Sequence, residues 1–234
     1  MRVCWGQGPG CGNVGDQVTP YILKAAGVTH VRAKRTEVGK HLMCGSILVW
    51  AQNGDTIWGT GNSQDVLSDK MRGRNLNVLA VRGPLTRDRL LAEGEECPEV
   101  YGDPAMLLPR FYKPKVNKKH KLGAVWHYIE KKVPDKGTLI TPVMPVPDFI
   151  DRICECERIV TSSLHGLIIA HAYGIPARWV KVSDRVFGNG LKFRDYLLSV
   201  GMDLYDPVWP DSDDFIPVEL NIDLDKLWEV RPWA

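Results

Sequence analysis

Short apolar runs closed by glycine or asparagine recur along the chain and alternate with longer amphipathic stretches. GSILVWA (45–51) and LNVLAVRG (76–83) lack regular polar alternation, the pattern of strands covered on both faces in a parallel sheet. SQDVLSDKM (63–71) predicts a short helix between them. PLTRDRLLAEG (84–94) predicts another, with Pro84 in its first turn, Gly94 just past its end, and Leu85, Leu90 and Leu91 opposite its charges. The alternation restarts after KPKVNKKHK (113–121), a basic stretch whose one large apolar residue is Val116 and which reads as a linker. Beyond it come LGAVWHY, GTLITPV, the helix PDFIDRICEC, the strand ERIVTSS, a further helix and ARWVKV. The expected class is α/β: two Rossmann-like α/β domains around a central cleft, residues 1–112 and 122–208, with an acidic tail (209–234) packed on the surface.

Composition narrows the function classes. In 234 residues, 44% hydrophobic and 25% charged content is the balance of a globular chain and excludes a disordered one. Thirty basic side chains against 28 acidic ones leave a net charge of +2, so no overall field draws nucleic acid, and any anion site must be local. No signal-peptide pattern and no run of 18 apolar residues occurs, so the expected location is cytoplasmic, with room for peripheral attachment at the inner face of a membrane. The six cysteines form no CxxC pair and have no histidine at zinc-ligand spacing; reduced structural thiols and no metal site are expected. Eight tryptophans serve either packing or sugar stacking, and the sequence does not choose between them.

Ligands of open α/β sheets bind beyond the carboxyl ends of the strands, and candidate chemistry gathers at such places here. In TSSLHGLIIAHAYGIPARWV (161–180) a strand meets hydroxyls and then a helix ending before Gly174. Ser162 and Ser163 suit an N-cap, and the free amides of a first turn attract anions. His165 in that turn reads either as a packed neutral histidine or as a reacting group, and the strand-to-helix position favours the second. His171, six residues on, suits the packing role. Arg82, between a strand and a proline-started helix, either forks onto a carboxylate or phosphate or holds a neighbouring loop. CGNVGDQVTPYIL lacks both GxGxxG and GxxxxGK[ST]; Asn13 and Asp16 either bind hydroxyls or cap the next helix. Gly59 and Gly61 in TIWGTGN either let backbone approach a ligand or only shape a turn. Asp103, in YGDPA, reads as a loop-holding residue at the domain junction.

GNVGDQVTPYIL, GSIL, GDTIWGTGN, VRGPLTRDRL, YGDPAMLLP, TSSLHGLIIAHAYGIPARWV and NGLKFRDYLLSVG, in that order, resemble the polysaccharide pyruvyl transferase family over about residues 10–200, especially its exopolysaccharide members. The resemblance implies a GT-B-like pair of domains, the first on the acceptor side and the second on the donor side. It implies transfer of a pyruvyl group from phosphoenolpyruvate to two hydroxyls of a saccharide, lipid- or nucleotide-linked, giving a cyclic ketal with no cofactor beyond the donor. The family's SSLHG histidine corresponds to His165 and its RGP arginine to Arg82; Lys192 in NGLKF is a further anion ligand. A GT-B glycosyltransferase using a nucleotide sugar and a non-catalytic saccharide-binding protein remain the alternatives.

Overall fold

In a computed structural model, residues 1–7, 12–63, 73–209, 211, 214–215 and 217–233 are described. The first half forms a parallel sheet of β1 (Arg2–Cys4), β2 (Val31–Arg32), β3 (His41–Leu42), β4 (Thr56–Trp58) and β5 (Asn77–Ala80), in the order β2-β1-β3-β4-β5. The second forms a parallel sheet of β6 (Gly123–Val125), β7 (Thr138–Leu139), β8 (Ile159–Thr161) and β9 (Ala177–Trp179), in the order β7-β6-β8-β9. Both are Rossmann-like, with helices α1 (Val14–Ala25), α2 (Pro84–Ala92), α3 (Val146–Cys154), α4 (Leu164–Ala172), α5 (Leu191–Ser199) and α6 (Leu224–Glu229) among the described residues. The basic stretch 113–121 runs between a 3-10 helix, Pro104–Arg110, and β6.

Local sequence accounts for most of these elements. α2 has Pro84 at its first position, and Gly94 follows it at φ +85°. α3 buries Val146, Phe149, Ile150, Ile153 and Cys154, the 3–4 residue spacing of a one-sided helix. α4 is buried from Leu164 to His171, as a helix apolar on all sides must be, and packs against the Pro104–Arg110 helix, α3 and the strands β8 and β9.

Two expectations need correction. GSILVWA is not a strand but a single 3-10 turn, Leu48–Trp50. Gly45 turns the chain at φ +101°, and Thr60 accepts the Ile47 N–H and donates to the Gly45 carbonyl, so the run curls over the turn after β4. Ile47, Leu48 and Ala51 then face inward and Val49 outward. Leu91, expected on the apolar side of α2, is exposed; Leu90 is buried as expected, together with Thr86. Most of SQDVLSDKM lies outside the described residues, as does Cys11. The other five cysteines are buried and free.

The largest core cluster among the described residues brings helices of the first half onto the second sheet. Val14, Val18 and Ile22 of α1 and Ala105, Met106 and Leu108 pack in one cluster with Val125, Phe149, Leu167 and Phe193. The end of the chain returns to the first sheet: Leu227 of α6 is fully buried, and Trp58 Nε1–H donates to its carbonyl at 2.9 Å. That segment therefore completes a core as well as covering a surface.

His171 fills the packing role. Its ring bonds the Tyr196 hydroxyl at 3.1 Å and the Ala177 carbonyl at 3.2 Å, and burial pushes its pKa down to about 4. A histidine held neutral in the fold binds its proton first in the unfolded chain. Stability should therefore fall as pH drops from about 6.5 to about 4, by about 3 kcal/mol from this group at full effect. Urea midpoints across that range should show the loss, and His171→Gln should flatten it; an unchanged slope would sink this account.

Candidate active site

The side chains that can do chemistry follow the carboxyl ends of strands. After β8 come Ser162 and Ser163; after β6, His127; after β5, Arg82; just after β3, Cys44. A cavity of about 410 Å³ opens where β8 and β9 end, between Ser162, Trp179 and the 181–190 loop, with Lys192 of α5 on its wall. This volume lies in the range of small-molecule sites. Trp179 stacks on Phe193 with centroids 4.4 Å apart and planes 4° from parallel, a flat aromatic wall.

Lys192 is the buried cation of this cavity, whose lining also carries Lys181 and Arg194. It is 8% exposed, and no carboxylate pairs with it among the described residues. Burial first, and then the Arg82 charge, lower its pKa to about 8. Beside it, the His127 N–H donates to Ser162 Oγ at 3.0 Å. Burial, with the Lys192 and His165 charges, lowers the His127 ring to about 4, so it is neutral at pH 7. Its Nδ1 lies 3.4 Å from the Ile129 N–H that it accepts, which leaves the proton on Nε2. The sequence reading missed His127, because it lies within an apparently continuous strand, LGAVWHY.

Ser163 occupies the N-cap position of α4, but its side chain makes no cap bond. Its N–H instead donates to Thr161 Oγ1 at 2.9 Å. The capping role expected of the serines is thus not taken up by Ser163, and the first-turn amides of α4 are left to another acceptor.

Arg82 does not open into a cleft: it is fully enclosed. Its Nε donates to Asp195 Oδ2 at 3.0 Å, Nη1 to Ser46 Oγ at 2.8 Å and Nη2 to the Asn62 carbonyl at 2.5 Å. Asp195 also accepts the Thr86 N–H and hydroxyl, so one buried ion pair ties α2 and the β5 turn to α5, the helix that carries Lys192. The glycines expected to approach a ligand approach protein instead. A Cβ on Gly61 would strike the Arg82 guanidinium, and one on Gly59, at φ +84°, would strike Pro104.

His165 lies on the other side of α4's first turn and does not line the cavity. Its Nε2 is 3.1 Å from Cys44 Sγ and 3.5 Å from Asp103 Oδ2. A Cβ on Gly15, in the first turn of α1, would collide with the ring at Nδ1, which explains a glycine in the NVGD motif. Asn13 caps α1 at 3.4 Å from the Gly15 N–H, and the Asp16 carboxylate packs against Gly6; neither lines the cavity. Asp103 caps the 3-10 helix through the Ala105 N–H, as a loop-holding residue would, but it also faces His165. Burial alone would raise its carboxyl; the His165 charge and the bonds from His165, Ala105 and Cys44 outweigh this and hold it below the usual carboxylate range.

Cys44, Asp103 and His165 bring three potential metal-ligand atoms within 4.8 Å of one another. Burial and the Asp103 charge push the Cys44 thiol well above its ordinary value, and it donates to Asp103 Oδ1 at 3.0 Å. A coordinating thiolate would have to form against both effects, so the three are better suited to a hydrogen-bonded unit.

A family model described as polysaccharide pyruvyl transferase matches residues 66–184, half of the chain. The chain belongs to the polysaccharide pyruvyl transferase family. As a member it is a pyruvyltransferase enzyme. It is 28% identical over 212 residues to the uncharacterized protein L143 of Acanthamoeba polyphaga mimivirus, covering 82% of this chain and 72% of that one. It is 27% identical over 205 residues to the succinoglycan biosynthesis protein ExoV of Rhizobium meliloti (strain 1021), covering 82% of this chain and 62% of ExoV. The uncharacterized protein KP1_0663 of Klebsiella pneumoniae subsp. pneumoniae NTUH-K2044 has a similar fold, with a TM-score of 0.52 and 13% identity over 84% of this chain and 86% of that one. No helix among the described residues of this pyruvyl transferase family member is long and apolar enough to cross a membrane.

Proposed function

We propose that the protein transfers the pyruvyl group of phosphoenolpyruvate to two hydroxyls of a saccharide, forming a cyclic pyruvate ketal in polysaccharide biosynthesis. The observation that carries this reading is Lys192: a nearly buried ammonium without a carboxylate partner among the described residues, on the wall of a small-molecule cavity beside Ser162. A dianionic phosphate ester with a carboxylate is the complement of such a wall, supported by the Ser162 hydroxyl on it; the His127 N–H bonds Ser162 from behind, and the first turn of α4 follows Ser162 in the chain. Arg82 adds its positive charge from behind and holds α5 in place through Asp195.

The chemistry begins with a proton delivered to the methylene carbon of phosphoenolpyruvate; His165, across the first turn of α4 from the cavity, is the acid of this reading, which requires the methylene end of the donor to reach past Ser162 to the ring. The carbon bearing phosphate becomes electrophilic, one acceptor hydroxyl adds to it and loses its proton, and inorganic phosphate departs with the C–O bonding pair. The second hydroxyl then adds at the same carbon, gives up its proton to the departed phosphate or to water, and closes the ring. Trp179, on the cavity wall, supplies an apolar face against which a sugar ring can lie.

Lys192 gives this reading a pH signature. Because its pKa is already near 8 in the free protein, phosphoenolpyruvate should bind most tightly below pH 8 and lose about tenfold in affinity per unit above it. Lys192→Ala should raise the Kd for phosphoenolpyruvate about 10- to 100-fold by calorimetry and remove that dependence. Tight binding of a nucleoside diphosphate with none of phosphoenolpyruvate would favour a glycosyltransferase. A phosphate-release screen with phosphoenolpyruvate against defined galactose, glucose and mannose derivatives tests donor and acceptor together.

A further inference from the structure

The buried cluster behind α4 bears on how His165 works. Nε2 of its ring meets Cys44 Sγ at 3.1 Å; the Cys44 thiol donates to Asp103 Oδ1 at 3.0 Å; and Oδ1 also accepts the Ala105 N–H at 3.0 Å. Asp103 Oδ2 is sealed from solvent and, among the described residues, has no close donor beyond the same Nε2, at a long 3.5 Å. A buried carboxylate oxygen without a donor is costly unless a cation offsets it. The group in position to become that cation is the His165 imidazole.

We propose that Asp103, with Cys44 beside it, is the positioning carboxylate of His165. It stabilises the imidazolium and fixes Nε2–H toward the Cys44–Asp103 pair, so that Nδ1 is the nitrogen that gives up a proton. The logic is that of a histidine oriented and charged by a buried acid. The order of bonds is self-consistent: the ring donates Nε2–H to sulfur, the thiol donates its own proton to Oδ1, and no proton moves along this chain when Nδ1–H is transferred. Gly15 lets the first turn of α1 pack against the Nδ1 and Cε1 edge of the ring, where a Cβ would overlap it.

Among the described residues, the Asp16 charge acts on Cys44, the Lys192 and His165 charges act on His127, and the Asp103 charge acts on the Tyr196 hydroxyl. Asp103 is the carboxylate that faces the ring itself.

The assignment rests on His165 being the acid of the proposed transfer, but its test has a readout that needs no substrate. In histidine-15N-labelled protein, the ring nitrogens of His165 should show Nε2 protonated in the neutral form. In Asp103→Asn, whose amide oxygen can still cap Ala105, that preference should be lost and the Nδ1-protonated tautomer should appear. With phosphoenolpyruvate and acceptor, the same variant should lose at least about 100-fold in kcat while KM changes less than about threefold. Should Asp103→Asn fold poorly, Asp103→Ser keeps a capping oxygen without the charge and should give the same two shifts. A His165 ring with the same tautomer in wild type and variants, or a loss confined to KM, overturns the proposal. Failure of wild-type protein to turn over phosphoenolpyruvate counts against the proposed reaction, and the ring tautomer still decides this assignment.

Discussion

His165→Ala should lower phosphate release from phosphoenolpyruvate, measured with a competent acceptor, by about 10²- to 10⁴-fold, the range in which a positioned acid contributes to a proton-transfer step. Phosphoenolpyruvate binding should fall far less, because Lys192, Ser162 and the first-turn amides of α4 remain in place. The contrast decides between two roles for this histidine. An acid lost from the chemical step lowers kcat with little change in Kd, whereas a cationic anchor lost from the ground state raises Kd and leaves kcat nearly intact. The substitution also removes the ring facing buried Asp103 and should cost about 1–3 kcal/mol of stability, so the comparison belongs at a temperature where thermal melting shows the variant folded. His165→Gln, which fills more of the space, should be equally slow. Wild-type turnover by either variant would end the assignment of His165 as the acid.

The parts of this site legible in the sequence are those encoded within about ten residues. A buried run followed by Arg82, Gly83 and Pro84 marks a strand-to-helix turn, and IVTSSLHG marks another; both lie where expected. Strands of two or three residues, such as β2 and β3, are too short to show a period, and GSILVWA shows that an apolar run can be folded into a turn by a glycine and a threonine from elsewhere in the chain. What sequence could not supply is partnership. Asp195 reads as one charge among several in NGLKFRDYLL, yet it is the counter-ion of an arginine 113 positions away. Cys44 looked like one scattered thiol of six and proved to be 3.1 Å from His165. His127 carried one usable signal, a polar ring directly after the apolar run GAVW, the same place that Ser162 takes after IVT.

The Arg82–Asp195 pair should give the largest stability effect in the protein. Both side chains are fully buried, and Asp195→Ala leaves a guanidinium in the interior with its Nε unsatisfied and removes the acceptor of the Thr86 N–H and hydroxyl. Breaking a buried pair from one side costs about 3–5 kcal/mol, read here as the shift in urea midpoint at constant slope. Replacing both partners by apolar side chains, Arg82→Met with Asp195→Leu, should restore most of that loss, because two uncompensated charges no longer need burying. Phosphoenolpyruvate affinity should not return with it. The guanidinium fork sets three directions at once, toward Ser46, the Asn62 carbonyl and α5, and a methionine reproduces the volume but none of the directions. Lys192 sits three residues from Asp195 on the same helix and would lose its fixed position on the cavity wall. If the double variant regains stability and binds phosphoenolpyruvate within about threefold of wild type, the pair holds the fold alone and the site depends on Lys192 without it.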